Sequence, residues 1–170
     1  GSEMCIRDRI KKDNLFQYPT ERQVSRLARA CYKRLDALGN DQLVHELASA
    51  PNEIAKQINL YAVMRYNRLV WEFMIQVIGE KYRNQDMNFS RKDMNAFFSR
   101  LQAQDDSVAA WSDATITKIK SVLVRMLIET GYLDGLKDTT LNPVFLCEEL
   151  ERGIEANNDY DALSAFNYFR

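Results

Sequence analysis

Apolar residues recur at spacings of three and four along almost the whole chain, and this periodicity constrains the fold more than any other feature. From Val24 to Leu38, an apolar stripe at helical spacing lies opposite an equally regular basic stripe. Six Gly and three Pro in 170 residues are too few for a sandwich built from many turns. The sequence therefore predicts an all-α fold, a compact helical bundle.

Boundary signals divide the amino-terminal part into separate helices. Thr20 with Gln23 forms a capping box, and Gly39 ends the helix that follows. Asn40 caps a short helix, and Pro51 begins the next one. We expect a break near Tyr66-Asn67, followed by a central buried helix that finishes near Tyr82.

The carboxy-terminal part has the layout of a winged helix-turn-helix. Ser90 starts a helix, residues 104–110 form a loop, and Ser112 caps a long helix before Gly131. Asp134-Gly135 is a turn signal between two short apolar arms, which predicts at most one short β-hairpin. A final helix is expected from Val144 to about residue 156, followed by a short aromatic tail.

These patterns suggest three segments. Residues 1–9 resemble a cloning scar followed by a translated sequencing adapter, so we expect the native sequence to begin near Ile10. Residues 10–88 are predicted to form an amino-terminal helical domain, and residues 89–170 a winged-helix-like carboxy-terminal domain.

Catalytic and cofactor-binding signatures are absent from the sequence. No Gly-rich phosphate loop occurs, and the single histidine, His45, has no metal-ligand or nucleophile motif beside it. Three cysteines without paired spacing indicate neither a disulfide framework nor a zinc site, and are typical of the reducing cytoplasm. We therefore expect a cytoplasmic, non-catalytic protein with no cofactor, metal, small-molecule substrate or membrane span.

The net charge of −1 conceals an uneven distribution and two candidate basic surfaces. Residues 1–34 hold nine basic and four acidic residues, whereas residues 129–170 hold nine acidic and three basic ones. The first surface is the basic stripe, made of Arg22, Arg26, Arg29 and Lys33; either phosphate contact or simple solvation of a helix face explains it. The second is the outward face of the long helix after Ser112, made of Thr117, Lys118, Ser121 and Arg125, which in a helix-turn-helix would enter the major groove.

From about Lys12 onward the chain resembles the BrxA family of accessory proteins of bacterial BREX phage-defence systems. The matching stretches are Thr20–Leu38, Ala62–Tyr82, Asp93–Phe98, Trp111–Leu133 and Leu141-Asn142-Pro143. Two features depart from the family: members usually carry a further amino-terminal helical segment, and they tend to have Pro where this chain has Asn67. The resemblance implies a NusB-like or helix-turn-helix fold and DNA binding without known catalysis, but it assigns no residue to DNA contact.

Three functions follow as hypotheses. The first is a double-stranded DNA-binding accessory factor that acts with other BREX subunits. The second is a protein-protein scaffold in which the basic and acidic ends of the chain are docking faces. The third is RNA binding, which rests on the likeness to NusB alone.

Overall fold

The computed structural model describes residues 33–170 of the chain, and over that range it confirms the all-α fold. Residues 33–37 are helical, and Gly39 follows with a positive φ of 59°. The elements that follow are α1 (Asp41–Ser49), α2 (Asn52–Tyr66), α3 (Arg68–Phe73), a π-helical segment (Met74–Gly79), α4 (Glu80–Arg83), α5 (Arg91–Gln104), α6 (Asp106–Ala109), α7 (Asp113–Glu129), α8 (Glu148–Ala156) and a 3₁₀ helix (Tyr160–Phe166). No helix in this described part is long and apolar enough to span a bilayer.

The predicted caps begin these helices as expected. The side chain of Asn40 accepts hydrogen bonds from the backbone N–H groups of Gln42 and Leu43 at the start of α1. Ser90 and Asp93 form a capping box at α5, because the Asp93 carboxylate also accepts from the Ser90 N–H at 2.8 Å. Local sequence therefore sets these boundaries.

The predicted break at Asn67 is confirmed and divides two helices that pack closely. The backbone N–H of Asn67 donates to Val63 O at the end of α2, while its side chain accepts from Leu69 N at the start of α3. From Arg68 to Arg83 the chain is continuously helical, and it includes the π-helical segment that the sequence did not predict. Phe73, Met74 and Ile78 of this central helix are fully buried, as expected.

One hydrophobic cluster joins the described helices other than α6. It draws on the central helix, on Phe97 of α5, on Leu127 of α7 and on Phe166 of the 3₁₀ helix, each of which is 0% exposed. Gly153 of α8 packs directly against Leu43 of α1. The predicted domain boundary at residue 88 stays a prediction.

The predicted hairpin around Asp134-Gly135 does not form. The N–H groups of Tyr132 and Leu133 donate to Leu127 O at the end of α7, so the first arm is occupied. The second arm pairs elsewhere: Phe89 N donates to Thr139 O, and an isolated bridge joins Asn88 to Thr140. Long-range pairing has replaced the predicted local pairing, apart from one hydrogen bond from Asn142 N to Tyr132 O.

Two element boundaries also differ from the prediction. Part of the expected loop 104–110 is a single helical turn, α6, because the Asp105 carboxylate accepts from Ser107 N as an N-cap. The final helix begins at Glu148 rather than Val144. The Gln57 side chain holds the preceding residues extended, since it donates to Phe145 O and accepts from Cys147 N.

Candidate nucleic-acid interface

The long helix α7 has one buried face and one exposed face. Ile116, Leu123 and Leu127 point into the core, with exposed fractions of 8% or less. Ser112 caps the helix by accepting from Thr115 N, and Gly131 with a φ of 86° follows its end. The buried face fixes which side chains of α7 must face solvent.

All four residues predicted on the outward face of α7 are exposed: Thr117, Lys118, Ser121 and Arg125. Successive helical residues are rotated by about 100°. On that geometry Lys118 and Arg125 lie within about 20° of each other, two turns apart and about 10.5 Å along the axis. We call the exposed set Ala114, Thr117, Lys118, Ser121, Val122 and Arg125 the α7 outer face.

Charges on the α7 outer face favour an anionic partner. Within the described part of the chain, neither Lys118 nor Arg125 has a carboxylate within ion-pair distance. The Ser121 hydroxyl donates to Thr117 O at 3.1 Å, which leaves its oxygen lone pairs available as acceptors. Of the acidic residues of α7, Glu129 in the last turn falls on the same side.

Neighbouring segments hold α7 near its middle and at its carboxy-terminal end. Lys120 leaves the outer face and turns toward α5, where its Nζ donates to Asn95 Oδ1 at 2.7 Å and lies 5.5 Å from the Phe98 ring centroid. At the carboxy-terminal end, the Asn142 side chain donates to Gly131 O and to an oxygen of Asp134. A rigid mount of this kind suits a binding surface.

The loop 134–138 follows α7 where a wing was predicted. Its Lys137 is a candidate contact that the sequence patterns did not predict. Both Leu136 and Lys137 are exposed there. The Asp138 carboxylate accepts from Asp134 N and Thr140 N, and these backbone hydrogen bonds hold the pKa of Asp138 below its usual value. The sequence signal for this contact is Lys137 itself, a basic residue two positions after the Asp134-Gly135 turn.

The basic stripe is described only at its last member. Lys33 is exposed at the start of the described residues. Arg22, Arg26 and Arg29 lie outside the described residues, so the stripe stays a prediction.

A polar cluster at the carboxy-terminal end of α2 joins this helix to the chain before α1 and to the chain after α8. Arg65 forms an ion pair with Asp159 at 2.5 Å and donates to Ala37 O, and Tyr61 also donates to Asp159. Burial, followed by the hydrogen bond to Asp159, raises the pKa of Tyr61 to about 12. The phenol therefore stays protonated and works as a donor that ties α2 to the chain after α8.

An open cleft of about 500 Å³ adjoins this cluster and includes Arg68, Trp71 and Glu72 in its lining. Its charged groups already have partners, since Glu72 accepts from Gln76 and lies 3.7 Å from Arg68. In the described part of the chain, no three His, Cys, Asp or Glu side chains converge as a metal site would require. His45 is exposed, and Cys147 is partly buried with its pKa raised mainly by burial.

Six aromatic side chains are buried in the core: Tyr61, Phe73, Tyr82, Phe89, Phe97 and Phe98. Tyr66, by contrast, is 52% exposed at the helix break. Trp71 is partly exposed in the cleft.

Comparison with known proteins identifies relatives along most of the chain. The family model of BrxA matches residues 2–158. The BREX protein BrxA of Bacillus cereus (strain H3081.97) is 36% identical over 135 residues, which cover 79% of this chain and 67% of that protein. The BREX protein BrxA of Escherichia coli O9:H4 (strain HS) is 24% identical over 163 residues, which cover 95% of this chain and 76% of that protein.

A solved structure shares the fold. A crystal structure of an uncharacterized protein from Magnetospirillum magneticum matches with a TM-score of 0.77 at 22% identity, covering 94% of this chain and 81% of that one. The family match spans the helices that carry the α7 outer face and the core beneath it. By its sequence and by the family model, the chain belongs to the BrxA family.

Proposed function

We propose that this protein is a double-stranded DNA-binding accessory factor of a BREX phage-defence system, and that the α7 outer face makes the DNA contact. The observation that carries the proposal is the division of α7 into a core-facing apolar side and an exposed side with Lys118 and Arg125 two turns apart. A helix of this kind fits the major groove of B-form DNA, which is about 12 Å wide.

The composition of the α7 outer face supports this assignment over simple solubility. A solvated helix face typically mixes acidic and basic side chains in i, i+4 pairs, whereas the α7 outer face carries two cations, two hydroxyl residues and small apolar residues. Glu129 follows Arg125 at i+4, but the two form no ion pair. Lysine and arginine bind phosphates or guanine edges, and hydroxyl groups add hydrogen bonds. Lys137, beside the end of α7, is a further phosphate contact in this proposal.

The salt dependence of DNA affinity tests the proposal. Each phosphate neutralised by the protein contributes about −0.9 to the slope of log K against log salt concentration. Replacing Lys118 and Arg125 together by glutamine is therefore expected to reduce that slope by about 1.8. Fluorescence anisotropy of a labelled duplex, titrated over a range of KCl concentrations, measures the change.

A matched control variant distinguishes the loss of a DNA contact on α7 from the effect of removing two positive charges anywhere on the protein. Lys56 and Arg152 are two cations outside α7, and replacing both by glutamine removes the same charge. That variant is expected to keep the slope of the unaltered protein. If the two double variants bind alike, the α7 outer face is not the DNA-binding surface.

Duplex type provides an independent test. The major groove of A-form RNA is too narrow and deep for side chains on a helix to read. An unlabelled RNA duplex should therefore compete poorly against labelled DNA of the same sequence. Equal competition would favour RNA binding instead.

A protein-protein scaffold is the second candidate, because two large apolar side chains are unusually exposed. Leu136 and Phe145 are each 80% exposed. Gln57 bonds the backbone at Phe145 O and Cys147 N, and Asn167 donates to Val144 O on the other side, so the ring is held in solvent by a rigid segment. Aromatic side chains such as Phe145 are enriched in the cores of protein-protein interfaces, where a rigidly held ring can be buried by a partner.

Co-purification tests the scaffold candidate. If other BREX subunits bind here, they should remain bound after nuclease treatment and be lost on Phe145→Ala, while Lys118→Gln leaves them bound. Loss after nuclease treatment alone would mean that DNA bridges the proteins.

A further inference from the structure

One residue on the α7 outer face does not fit a purely electrostatic surface. Val122 is 58% exposed, although the next residue, Leu123, is 1% exposed. A phosphate-binding face gains nothing from an exposed β-branched apolar side chain, and valine is also a modest helix former. Val122 therefore points to a contact with an apolar group.

Val122 lies close to both cations of the α7 outer face, Lys118 and Arg125. It lies about 40° around the helix from Lys118 and about 60° from Arg125, between them along the axis. Cores of protein-protein interfaces are depleted of charged residues. An apolar residue between two unpaired cations instead matches a partner that presents a methyl group inside a polyanionic groove.

Double-stranded DNA offers such a group at one base. The major-groove edge of thymine carries a C5-methyl group, and apolar side chains on recognition helices contact it. We propose that Val122 contacts pyrimidine 5-methyl groups in the major groove, so that α7 reads bases as well as binding phosphates. This inference rests on the proposed DNA-binding function and adds a preference for methyl-bearing base pairs.

Replacing thymine by uracil removes the methyl group and leaves the hydrogen-bonding pattern unchanged. The experiment compares the affinity of the full chain for one duplex with its affinity for the same duplex containing dU at every dT. Burial of one group of methyl size changes an equilibrium constant about fourfold. The dU duplex is therefore expected to bind about fourfold more weakly per contacted methyl group.

Two variants assign the effect to one side chain. Val122→Ser is expected to bind the dT duplex more weakly and to bring the affinity ratio between the two duplexes close to one. Lys118→Gln is the matched control, because it should weaken binding to both duplexes equally and preserve the ratio. Since Val122 and Lys118 are both exposed, both variants should keep the melting temperature of the unaltered protein.

The outcomes separate this inference from the proposed function. Binding that is equally tight with dT and dU overturns the methyl contact and leaves DNA binding standing. A ratio that persists in Val122→Ser overturns the assignment to Val122. Failure to bind either duplex overturns the proposed function and this inference together.

Discussion

The contact between α1 and α8 makes a sharp prediction about one glycine. Gly153 is buried in α8, and a Cβ atom added there would lie 2.4 Å from Leu43 Cδ1, 2.5 Å from Cγ and 2.6 Å from Cδ2. Leu43 is itself 1% exposed, so its whole branched end would have to move within a packed core. Gly153→Ala is therefore expected to destabilise the fold.

Two opposing effects set the size of the loss. On an open helix face, replacing glycine by alanine stabilises a protein by about 0.5–1 kcal/mol, because glycine is a poor helix former. An extra methyl group in a filled core costs about 1–3 kcal/mol. The overpacking cost is the larger effect, and we expect a net loss of about 1–2 kcal/mol in the free energy of unfolding.

Thermal and urea denaturation measure this loss. For a chain of this size, 1 kcal/mol corresponds to about 2–4 °C in Tm, so Gly153→Ala should melt about 2–8 °C lower. Gly135 is the matched control, since nothing lies within 4 Å of a Cβ added there and its φ is not positive. Gly135→Ala should leave Tm nearly unchanged.

A protein that carries Leu43→Ala tests whether the clash with Leu43 causes the loss of stability in Gly153→Ala. Leu43→Ala alone should cost about 2–5 kcal/mol, because it removes a buried side chain. In that background the added methyl group of Gly153→Ala has room, and the substitution should no longer destabilise. If Gly153→Ala stabilises the otherwise unaltered protein, the close approach of α8 to Leu43 is wrong.

Three further predictions concern α7, the helix break and the buried tyrosine. Leu123→Ala should lower the free energy of unfolding by about 2–5 kcal/mol, whereas Val122→Ala should change it by less than about 0.5 kcal/mol. Urea denaturation compares the two, and similar losses would contradict the orientation of α7. Asn67→Ala should cost about 1 kcal/mol because the cap of α3 is lost, and an unchanged Tm would mean that the capping bond contributes nothing. The pKa of Tyr61 is raised to about 12, first by burial and then by Asp159, so the stabilising effect of its neutral form is present below pH about 10 and lost as pH rises through about 12. Urea titrations in that alkaline interval should show stability falling more steeply in the unaltered protein than in Tyr61→Phe, and equal slopes would exclude this origin.

Local sequence alone determined the capped starts of three helices and the two sides of α7. Caps at Asn40, Ser90 and Ser112 act within three residues, and so the signals and their partners lie together in the sequence. The exposure of Lys118 and Arg125 also followed from spacing, because a helix with one apolar stripe must turn the opposite side to solvent. These features involve no distant part of the chain.

Only the tertiary structure decided the features that depend on distant residues. Gln57 keeps Phe145 extended and delays α8 to Glu148, although 88 residues separate the two partners. The arm at Thr140 pairs with Asn88 instead of closing the predicted hairpin. In each case a side chain or backbone group that folding brings near replaces the expected local hydrogen bond. Sequence periodicity does not show which distant group this will be.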